Sequence, residues 1–507
     1  MDTVPAWGTL PRMLRDLAAR DPGALVVDGP VPLTLGGLRE RAAAVGQGLI
    51  DLGVRPGDRV AVWGVNDAAW AWSAFGVWDA GAVLVPLSAR SRGIEAAETI
   101  ARTGAGVLVA LDGVRADLLP PVPGLRHVVG GGLGAEPAGP AGPDVEERAA
   151  AVRPGDLCEI MSTSGTTGTP KGVMIDHAQV LRGYWDWAEI VTLGPEDRYP
   201  VIAPFSHGFG LNAGLVACVM RRARMLPVGA FAPDALMSLV ESWRPTVLAG
   251  PPTLFHRLLD ELDRRAADVS SLRVAVCGAA AVPAALVTRL VGAAGLERVI
   301  NAYGLMEGTV VSMTRADDPV EVIAASAGRT VPGIEVKIVD LEGREVPAGV
   351  RGEILERGYG VMRGYWGDPE RTAEAVDADG WLHTGDVGVL DESGNLSVVD
   401  RKKELFIVNG FNVSPAEVEA LLLREGSLAQ VAVVGVPDER SGEAGWAFAV
   451  PRAGASVDVA GVLEWARANM SGYKVPKRLI VVDELPANAN GKTDKSALRR
   501  LTLGRKG

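Results

Sequence analysis

The sequence has few of the residues that build disulfide frameworks or metal clusters. Its 507 residues include three widely separated cysteines and five histidines without HExxH or paired spacing. These counts exclude a disulfide scaffold and a cysteine zinc cluster, and they argue against a histidine-based metal site. No run reaches the ~18 apolar residues of a membrane span, and the N-terminus has no apolar signal core. We therefore expect a cytoplasmic protein without a membrane span.

Positive charge is in deficit as well. The net charge is -11, which makes a nucleic-acid partner unfavourable on electrostatic grounds. The deficit is uneven, because residues 401–507 carry a net +4 and residues 1–400 a net -15. A basic C-terminal unit fits an anionic ligand, and it fits ordinary variation in surface charge equally well.

Lysine is the rarer of the two strong cations. The chain has nine lysines against 42 arginines, and the first lysine is Lys171. A compact ammonium can reach one phosphate oxygen without the bulk of a planar guanidinium. Codon bias explains the scarcity but not which lysines remain, so each lysine is a candidate for a specific task.

Apolar β-rich runs alternate with amphipathic helical stretches through most of the chain. Strands are predicted at Arg59–Val65 and Val299–Asn301, and a helix at Leu38–Leu52. This alternation predicts an α/β fold with layered, mainly parallel sheets. Short strands with Gly-rich turns predict a β-rich subdomain over about residues 330–400. The charged segment Asp400–Glu404 then marks the boundary between a large domain, 1–400, and a small α+β domain, 401–507.

A Ser/Thr/Gly-rich segment, Ser162–Gly172, has the composition of a phosphate-binding loop. Glycines let backbone N–H groups approach an oxyanion, hydroxyls donate further hydrogen bonds, and the ammonium of Lys171 neutralises charge. The spacing differs from GxxxxGK[ST], because Lys171 does not directly follow Gly168. The alternative is a polar turn without a ligand.

This loop resembles the signature of the adenylate-forming superfamily, which includes acyl-CoA synthetases, adenylation domains and luciferases. Further segments resemble that family in its order along the chain: Pro204–Gly208, Asn301–Glu307, Trp381–Asp386, Asp400–Glu419 and Asn490–Lys492. The match is closest to standalone fatty-acid or aryl-acid CoA ligases. It implies a large α/β domain followed by a small, mobile C-terminal domain.

The resemblance implies a nucleotide site for ATP and Mg²⁺. Glu307 would hold Mg²⁺, and Tyr303, with Gly304 beside it, would stack on adenine. Asp386 and Arg401 would face the ribose. The remaining nucleotide-binding residues implied are those of the phosphate loop and of the adenine-side wall: Thr163, Ser164, Gly165, Thr166, Thr167, Gly168 and Lys171, and Gly278, Ala279 and Ala280.

The resemblance also implies how the two half-reactions are divided. Lys492 would stabilise the charge that grows between the acid and the α-phosphate. The small domain would then swing about Lys403, and Gly410 would line the tunnel for the pantetheine of coenzyme A. His207 would orient the carboxylate or gate the acyl tunnel. Candidates for the acyl pocket, each equally compatible with a core position, are Phe205, Phe209, Asn212 and Met306.

Three basic residues are further candidates for the phosphates of coenzyme A, although solvated surface positions would account for each of them: Arg440, Lys474 and Lys477. The sequence departs from the family at Met306, where the family usually has threonine. Methionine cannot donate the hydrogen bond of that hydroxyl, so either the ATP geometry or the acyl pocket is altered. Some relatives also have lysine where this chain has Ile407, which weakens the resemblance on the acceptor side.

The implied function is an ATP-dependent carboxylic acid–CoA ligase that forms an acyl-adenylate from a small acid and releases AMP and pyrophosphate. An alternative keeps adenylation but transfers to an amine or a carrier protein, or activates nitrite for arylamine diazotisation. A non-catalytic binding protein on this fold is a third possibility. It is disfavoured because Lys171, Glu307, Asp386 and Lys492 are all present. We expect a monomer or a homodimer.

Overall fold

The computed structural model describes residues 4–130, 133–134, 142–163, 170–229, 231–278, 282, 284–340, 342–401, 406–452, 456–486, 493 and 495–503. The α-helices in this part of the chain are α1 Leu10–Arg20, α2 Leu35–Asp51, α3 Ala68–Asp79, α4 Gly93–Thr103, α5 Pro143–Ala151, α6 His177–Val191, α7 Gly208–Gly210, α8 Ala217–Arg221, α9 Leu236–Trp243, α10 Pro252–Arg264, α11 Ala284–Gly292, α12 Val320–Ala325, α13 Pro369–Ala375, α14 Pro415–Leu422, α15 Val459–Asn469 and α16 Lys495–Leu503.

The strands of the same part are β1 Leu25–Val27, β2 Leu33–Thr34, β3 Arg59–Gly64, β4 Val83–Ser88, β5 Val107–Ala110, β6 His127–Gly130, β7 Leu157–Thr163, β8 Lys171–Asp176, β9 Arg198–Val201, β10 Arg224–Pro227, β11 Val247–Gly250, β12 Val274–Gly278, β13 Arg298–Leu305, β14 Thr309–Met313, β15 Arg329–Thr330, β16 Ile334–Val339, β17 Gly352–Gly358, β18 Gly364–Tyr365, β19 Leu382–Leu390, β20 Leu396–Arg401, β21 Phe406–Val408, β22 Phe411–Val413, β23 Leu428–Asp438, β24 Gly442–Pro451 and β25 Arg478–Val481.

A seven-stranded sheet in the order β18-β8-β7-β4-β3-β5-β6 forms one layer of the large unit, which we define as residues 4–401. The strands from β7 through β6 run parallel, and the β18 and β8 edge is antiparallel. Its central strands are buried on both faces and rich in valine and leucine, as expected where helices cover a parallel sheet on both sides. The predicted α/β class is confirmed.

Helices α2 and α3 pack closely on one side of this sheet. A Cβ added to Gly76 would lie 2.5 Å from Cβ of Val45, so only glycine permits this approach. Helix α3 is buried almost all round, and Asp67 caps it by accepting a hydrogen bond from the backbone N–H of Trp70 at 2.7 Å. The packing of these two helices fixes the position of the sheet, and with it the strand ends that reach the candidate active site.

Two further sheets continue the large unit. One has the order β2-β1-β10-β9 and the other the order β11-β12-β13-β14-β15, with β11, β12 and β13 parallel to one another. The strands β16, β17, β19 and β20 then form an antiparallel sheet over the region predicted to be β-rich.

The last sheet, β22-β21-β24-β23 with β25 beside β24, belongs to the C-terminal unit, which we define as residues 406–503. It is packed against α14 and α15, with an apolar core of its own. The change of sheet falls between Arg401 and Phe406, next to the predicted domain boundary. No helix among the described residues has the length and apolar composition needed to cross a bilayer.

Candidate active site

A cavity of about 1170 Å³ opens between the large unit and the C-terminal unit. Loops and strand ends from all five described sheets contribute to its wall. The residues that the sequence singled out and that line it are Thr163, Lys171, His207, Phe209, Gly278, Tyr303, Gly304, Met306, Glu307, Asp386 and Gly410. A cavity that gathers polar groups from such distant segments is a site for a ligand rather than a packing defect.

Several predicted residues lie outside the described residues, so their roles stay predictions: Ser164, Gly165, Thr166, Thr167, Gly168, Ala279, Ala280, Lys403 and Lys492. Arg401 is placed by its backbone alone, at the end of β20 opposite Asp386. Within the described residues, no group of three or more His, Cys, Asp or Glu side chains is arranged to hold a metal ion.

The predicted phosphate loop connects the two strands of a β-hairpin. Thr163 at the end of β7 pairs with Lys171 at the start of β8, so both ends of the loop meet at the cavity. The ammonium nitrogen of Lys171 lies 4.0 Å from the ring centroid of Tyr365, within range of a cation–π interaction. This contact holds the lysine at the mouth of the loop.

Glu307 stands in the turn between β13 and β14, on the same side of the cavity as Lys171. Its Oε1 accepts a hydrogen bond from the hydroxyl of Tyr365 at 3.0 Å, and its carbonyl oxygen accepts one from the N–H of Met362 at 2.8 Å. Burial, together with the charge of Glu307, raises the pKa of Tyr365. Tyr365 therefore remains a donor that orients the Glu307 carboxylate toward the cavity.

The wall predicted to face the nucleotide is built by the carboxyl ends of β12 and β13. Gly278 ends β12, and Tyr303 lies near the end of β13, where the two strands run parallel. The Tyr303 hydroxyl donates to Oδ2 of Asp386 at 2.7 Å, and the Asp386 N–H donates to the hydroxyl of Thr384 at 3.1 Å. Burial and the nearby Asp386 raise the pKa of Tyr303 well above its ordinary value, so the phenol stays protonated.

His207 begins the short helix α7 and faces the cavity. Its Nδ1 accepts a hydrogen bond from the N–H of Phe209 at 3.2 Å, which leaves Nε2 to carry the proton of the neutral ring. The ring is exposed to the cavity yet enclosed by protein, and this enclosure lowers the pKa of the imidazole. His207 thus presents a neutral N–H donor.

Met306 lies next to the helix that follows His207. Its sulfur would be 3.1 Å from a Cβ added to Gly208, and Tyr184 Oη would be 3.6 Å from the same point. All three residues line the cavity. Met306 therefore adds apolar bulk to the wall beside His207, which favours the predicted effect of this departure on the acyl pocket.

Two predicted acyl-pocket residues lie behind the cavity wall and do not line it. Phe205 is buried and packs against Trp70, with ring centroids 5.2 Å apart. Asn212 is buried in a π-helical segment, Leu211–Val216, and its Nδ2 donates to Oε1 of Glu159 at 2.7 Å. Both predictions are corrected in this respect, because core packing and a buried polar partner take these side chains away from the cavity.

Gly410 enters the cavity from the C-terminal unit. Asn409 and Gly410 form the two-residue turn between β21 and β22, with φ of 51° and 81° as a hairpin turn of this kind requires. A Cβ on Gly410 would lie 3.3 Å from Cγ of Pro251 in the large unit. The turn therefore lines one end of the cavity, with little room there for a side chain.

The three basic residues considered for the phosphates of coenzyme A have different surroundings. Arg440 lines the cavity. Lys477 pairs with Asp438. The side chain of Lys474 is only 12% exposed, and its Nζ lies 2.9 Å from Glu95 and 2.7 Å from Glu417, so it is not available to a phosphate in this structure.

Sequence reasoning missed other cavity residues. Glu353 and His383 face each other across β17 and β19 at 3.5 Å, and Tyr184 and Trp187 add aromatic surface from α6. Tyr365, which holds both Glu307 and Lys171, was also missed. These residues come from strands and helices that only the tertiary pairing brings to the cavity, so no local pattern identifies them.

The chain matches the family model described as AMP-binding enzyme over residues 14–366, and the one described as AMP-binding enzyme C-terminal domain over residues 417–492. It is 41% identical over 509 residues to the 3-[(3aS,4S,7aS)-7a-methyl-1,5-dioxo-octahydro-1H-inden-4-yl]propanoyl:CoA ligase of Rhodococcus jostii, covering 95% of this chain and 96% of that protein. It is 37% identical over 478 residues to a feruloyl-CoA synthase of Amycolatopsis sp, covering 93% and 94%.

A solved structure gives a similar result for the whole fold. The amide bond synthetase McbA from Marinactinospora thermotolerans superposes with a TM-score of 0.83 at 30% identity, covering 97% of this chain and 99% of that chain. The similarity therefore extends over both units of the chain.

Proposed function

The chain belongs to the AMP-binding enzyme family, and from this premise we propose that it is an ATP-dependent ligase that joins a carboxylic acid to coenzyme A. The acid attacks the α-phosphate of ATP, which gives an acyl-adenylate and pyrophosphate, and the thiol of coenzyme A then displaces AMP. The observation that carries the proposal is the single cavity in which Lys171, Glu307, Tyr303 and Asp386 meet the turn at Gly410.

ATP would bind along the wall formed by the ends of β7, β12 and β13. The aromatic face of Tyr303 suits adenine, and the carboxylate of Asp386, which accepts a hydrogen bond from the Tyr303 hydroxyl, suits the ribose hydroxyls. Lys171 and the hydroxyl of Thr163 at the ends of the loop suit the terminal phosphates.

The residues present fit a magnesium ion bound with ATP. Glu307 offers a carboxylate oriented by Tyr365, and Thr163 offers a hydroxyl, which are hard oxygen ligands. With the phosphate oxygens of ATP, they would complete a site that needs few protein ligands. The metal would neutralise phosphate charge.

The acid would lie beyond His207, whose neutral N–H can donate to the carboxylate. The wall here combines aromatic residues with small ones, and it leaves room for a ring system: Tyr184, Trp187, Phe209 and Phe231, and Ala203, Gly208, Gly229, Ala249 and Gly250. The relatives named above act on a bicyclic propanoate and on ferulate. We therefore propose a bulky cyclic or aryl-substituted acid as the substrate class.

The acceptor would approach through the opening at Gly410. Arg90, Arg257 and Arg440 line the cavity around this opening and suit a phosphorylated acceptor. The CoA ligase and the feruloyl-CoA synthase named above are 41% and 37% identical to this chain, whereas the amide bond synthetase is 30% identical. Transfer to an amine, a carrier protein or an arylamine after nitrite activation is therefore not favoured. We place the reaction in the cytoplasm, where ATP and coenzyme A are supplied.

The test is a screen of purified protein with ATP, Mg²⁺ and a panel of cyclic, aryl and fatty acids, each with and without coenzyme A. We expect acid-dependent pyrophosphate release and formation of the acyl-CoA thioester, highest for cyclic or aryl acids. Parallel reactions with amines or with nitrite and an arylamine serve as controls. Product formed with one of these acceptors and none with coenzyme A would contradict the proposal.

A further inference from the structure

A cluster of buried charge joins the two units of the chain at a distance from the nucleotide wall. The ammonium of Lys474, in the C-terminal unit, lies 2.9 Å from Oε1 of Glu95 on α4 and 2.7 Å from Oε1 of Glu417 on α14. The hydroxyl of Ser471 donates to the second oxygen of Glu95 at 3.0 Å. The three charged side chains are 12%, 7% and 7% exposed.

Buried charges of this kind are stable only while they are paired. Burial disfavours the ammonium of Lys474, but the carboxylates of Glu417 and Glu95 outweigh burial and hold its pKa above the ordinary value. If the C-terminal unit turned away, Glu95 would keep its place on α4 and lose Lys474. The cluster therefore stabilises the one orientation of the units seen here.

The cluster is connected directly to the turn that enters the cavity. Tyr473, the neighbour of Lys474, stacks on Phe411 with ring centroids 4.5 Å apart, and Phe411 follows Gly410. The guanidinium of Arg90, in the large unit, lies 4.4 Å from the Phe411 centroid. The rings of Tyr473 and Phe411 and the guanidinium of Arg90 thus join the charge cluster to the turn at Gly410. We therefore expect a movement of the cluster to move the turn as well.

We propose that Glu95, Lys474 and Glu417 form a clamp that holds the C-terminal unit with Gly410 in the cavity, and that they are positioning residues for the acceptor step. This inference rests on the proposed ligase function. The clamp touches neither ATP nor the acid. It favours the orientation in which the turn at Gly410 lines the acceptor opening, and it has to release when the unit moves to deliver Lys492 for adenylation.

The first test is Glu95→Gln, because Glu95 belongs to the large unit and glutamine keeps its hydrogen-bonding shape. Glutamine can still accept from the N–H of Arg92, which caps α4, but it removes the charge that faces Lys474. Thioester formation from coenzyme A and a supplied acyl-adenylate, made from the best acid of the panel, should slow by about tenfold. Acid-dependent pyrophosphate exchange should change by less than about twofold.

The control variant is Asp79→Asn. Asp79 is also a buried carboxyl of the large unit, and the charged groups that act on it, Arg15 at 2.6 Å together with Glu146 and Arg39, belong to the same unit. It should change stability without changing the ratio of the two half-reaction rates. An unchanged ratio in Glu95→Gln, in an enzyme whose wild type forms thioester, would overturn the clamp alone. A wild type that forms no thioester would defeat the ligase function and the clamp with it.

A cross-link tests the same orientation without removing the clamp. Arg424 and Glu98 form an ion pair across the units, and the three native cysteines, Cys158, Cys218 and Cys277, are buried. In Glu98→Cys/Arg424→Cys, a short bismaleimide should lock this orientation. The locked enzyme should keep thioester formation from the acyl-adenylate and lose at least about tenfold in pyrophosphate exchange. Undiminished exchange would show that this orientation serves adenylation, and would overturn the proposal.

Discussion

The hydroxyl of Tyr303 donates a hydrogen bond to the carboxylate of Asp386 over 2.7 Å, and it ties the end of β13 to β19. The two strands belong to different sheets, and the two residues lie 83 positions apart in the chain. The bond fixes the ring that would stack on adenine and the carboxylate that would hold the ribose. In the proposed complex, this one interaction would set the geometry of both ends of the nucleoside.

Tyr303→Phe separates these two roles, because phenylalanine keeps the stacking face and loses the hydroxyl. We expect the KM for ATP to rise by about tenfold, since the buried Asp386 loses a donor. Tyr303→Ala should raise it further by removing the aromatic face. Steady-state kinetics at saturating acid gives both values. Equal KM values for wild type and Tyr303→Phe would argue against a nucleotide role for this pair.

Glu307→Gln tests the proposed magnesium ligand. An amide keeps the size of the side chain but removes the charge, so pyrophosphate release should fall on the order of 100-fold, and the Mg²⁺ concentration for half-maximal rate should rise. Titration with Mg²⁺ at fixed ATP measures both effects. Glu392→Gln, at an exposed position, is the control. A normal Mg²⁺ dependence in Glu307→Gln would exclude Glu307 as a ligand.

Glu159 predicts a pH dependence of stability. Burial raises its pKa to about 7 from 4.5, and its Oε2 has no hydrogen-bond partner within the part of the chain that the structure describes. The folded state thus binds a proton that the unfolded state releases above pH 4.5. The favourable contribution of Glu159 to the free energy of unfolding is therefore complete below pH 4.5, and it is lost as the pH rises through 7.

Glu159→Gln should remove this dependence. Its amide N–H₂ can take the place of the proton without adding a charge, and its Oε1 can still accept from Nδ2 of Asn212. The variant should gain roughly 1–3 kcal/mol of unfolding free energy at pH 8 relative to wild type, and little at pH 4.5. Urea unfolding at the two pH values measures the difference. A gain of the same size at both values would assign the effect to packing instead of ionisation.

Gly410→Ala tests the acceptor opening. Alanine at φ +81° is strained, and its Cβ would meet Pro251 at 3.3 Å. Thioester formation should fall by about tenfold or more, while pyrophosphate exchange stays within about twofold. Gly426→Ala is the matched control, because Gly426 has φ +101° in the same unit with open space around it. Equal effects of the two substitutions would attribute the loss to backbone strain alone.

The sequence predicted those strands and helices that a pattern of neighbouring residues is enough to identify. The strand predicted at Arg59–Val65 is β3, Arg59–Gly64, because a buried parallel strand is a continuous apolar run. The strand predicted at Val299–Asn301 runs on to Leu305, since pairing with β14 extends it through Tyr303. That pairing depends on the tertiary structure and leaves no local pattern.

The same limit applies to the site. The resemblance to the adenylate-forming superfamily assigned Lys171, Tyr303, Glu307 and Asp386 to one nucleotide site, and the structure brings them to one cavity. The surroundings of Lys474 could not be predicted, because its two carboxylate partners lie 379 and 57 residues away. Likewise, the burial of Asn212 depends on Glu159, which a strand of another layer supplies.

The most direct test of the account is to measure the two half-reactions separately in Lys492→Ala. The account predicts that acid-dependent pyrophosphate exchange falls on the order of 100-fold or more, because charge at the α-phosphate loses its ammonium. The same variant should convert supplied acyl-adenylate and coenzyme A to thioester at close to the wild-type rate. Exchange at the wild-type rate in Lys492→Ala would contradict the account, as would equal losses in both half-reactions.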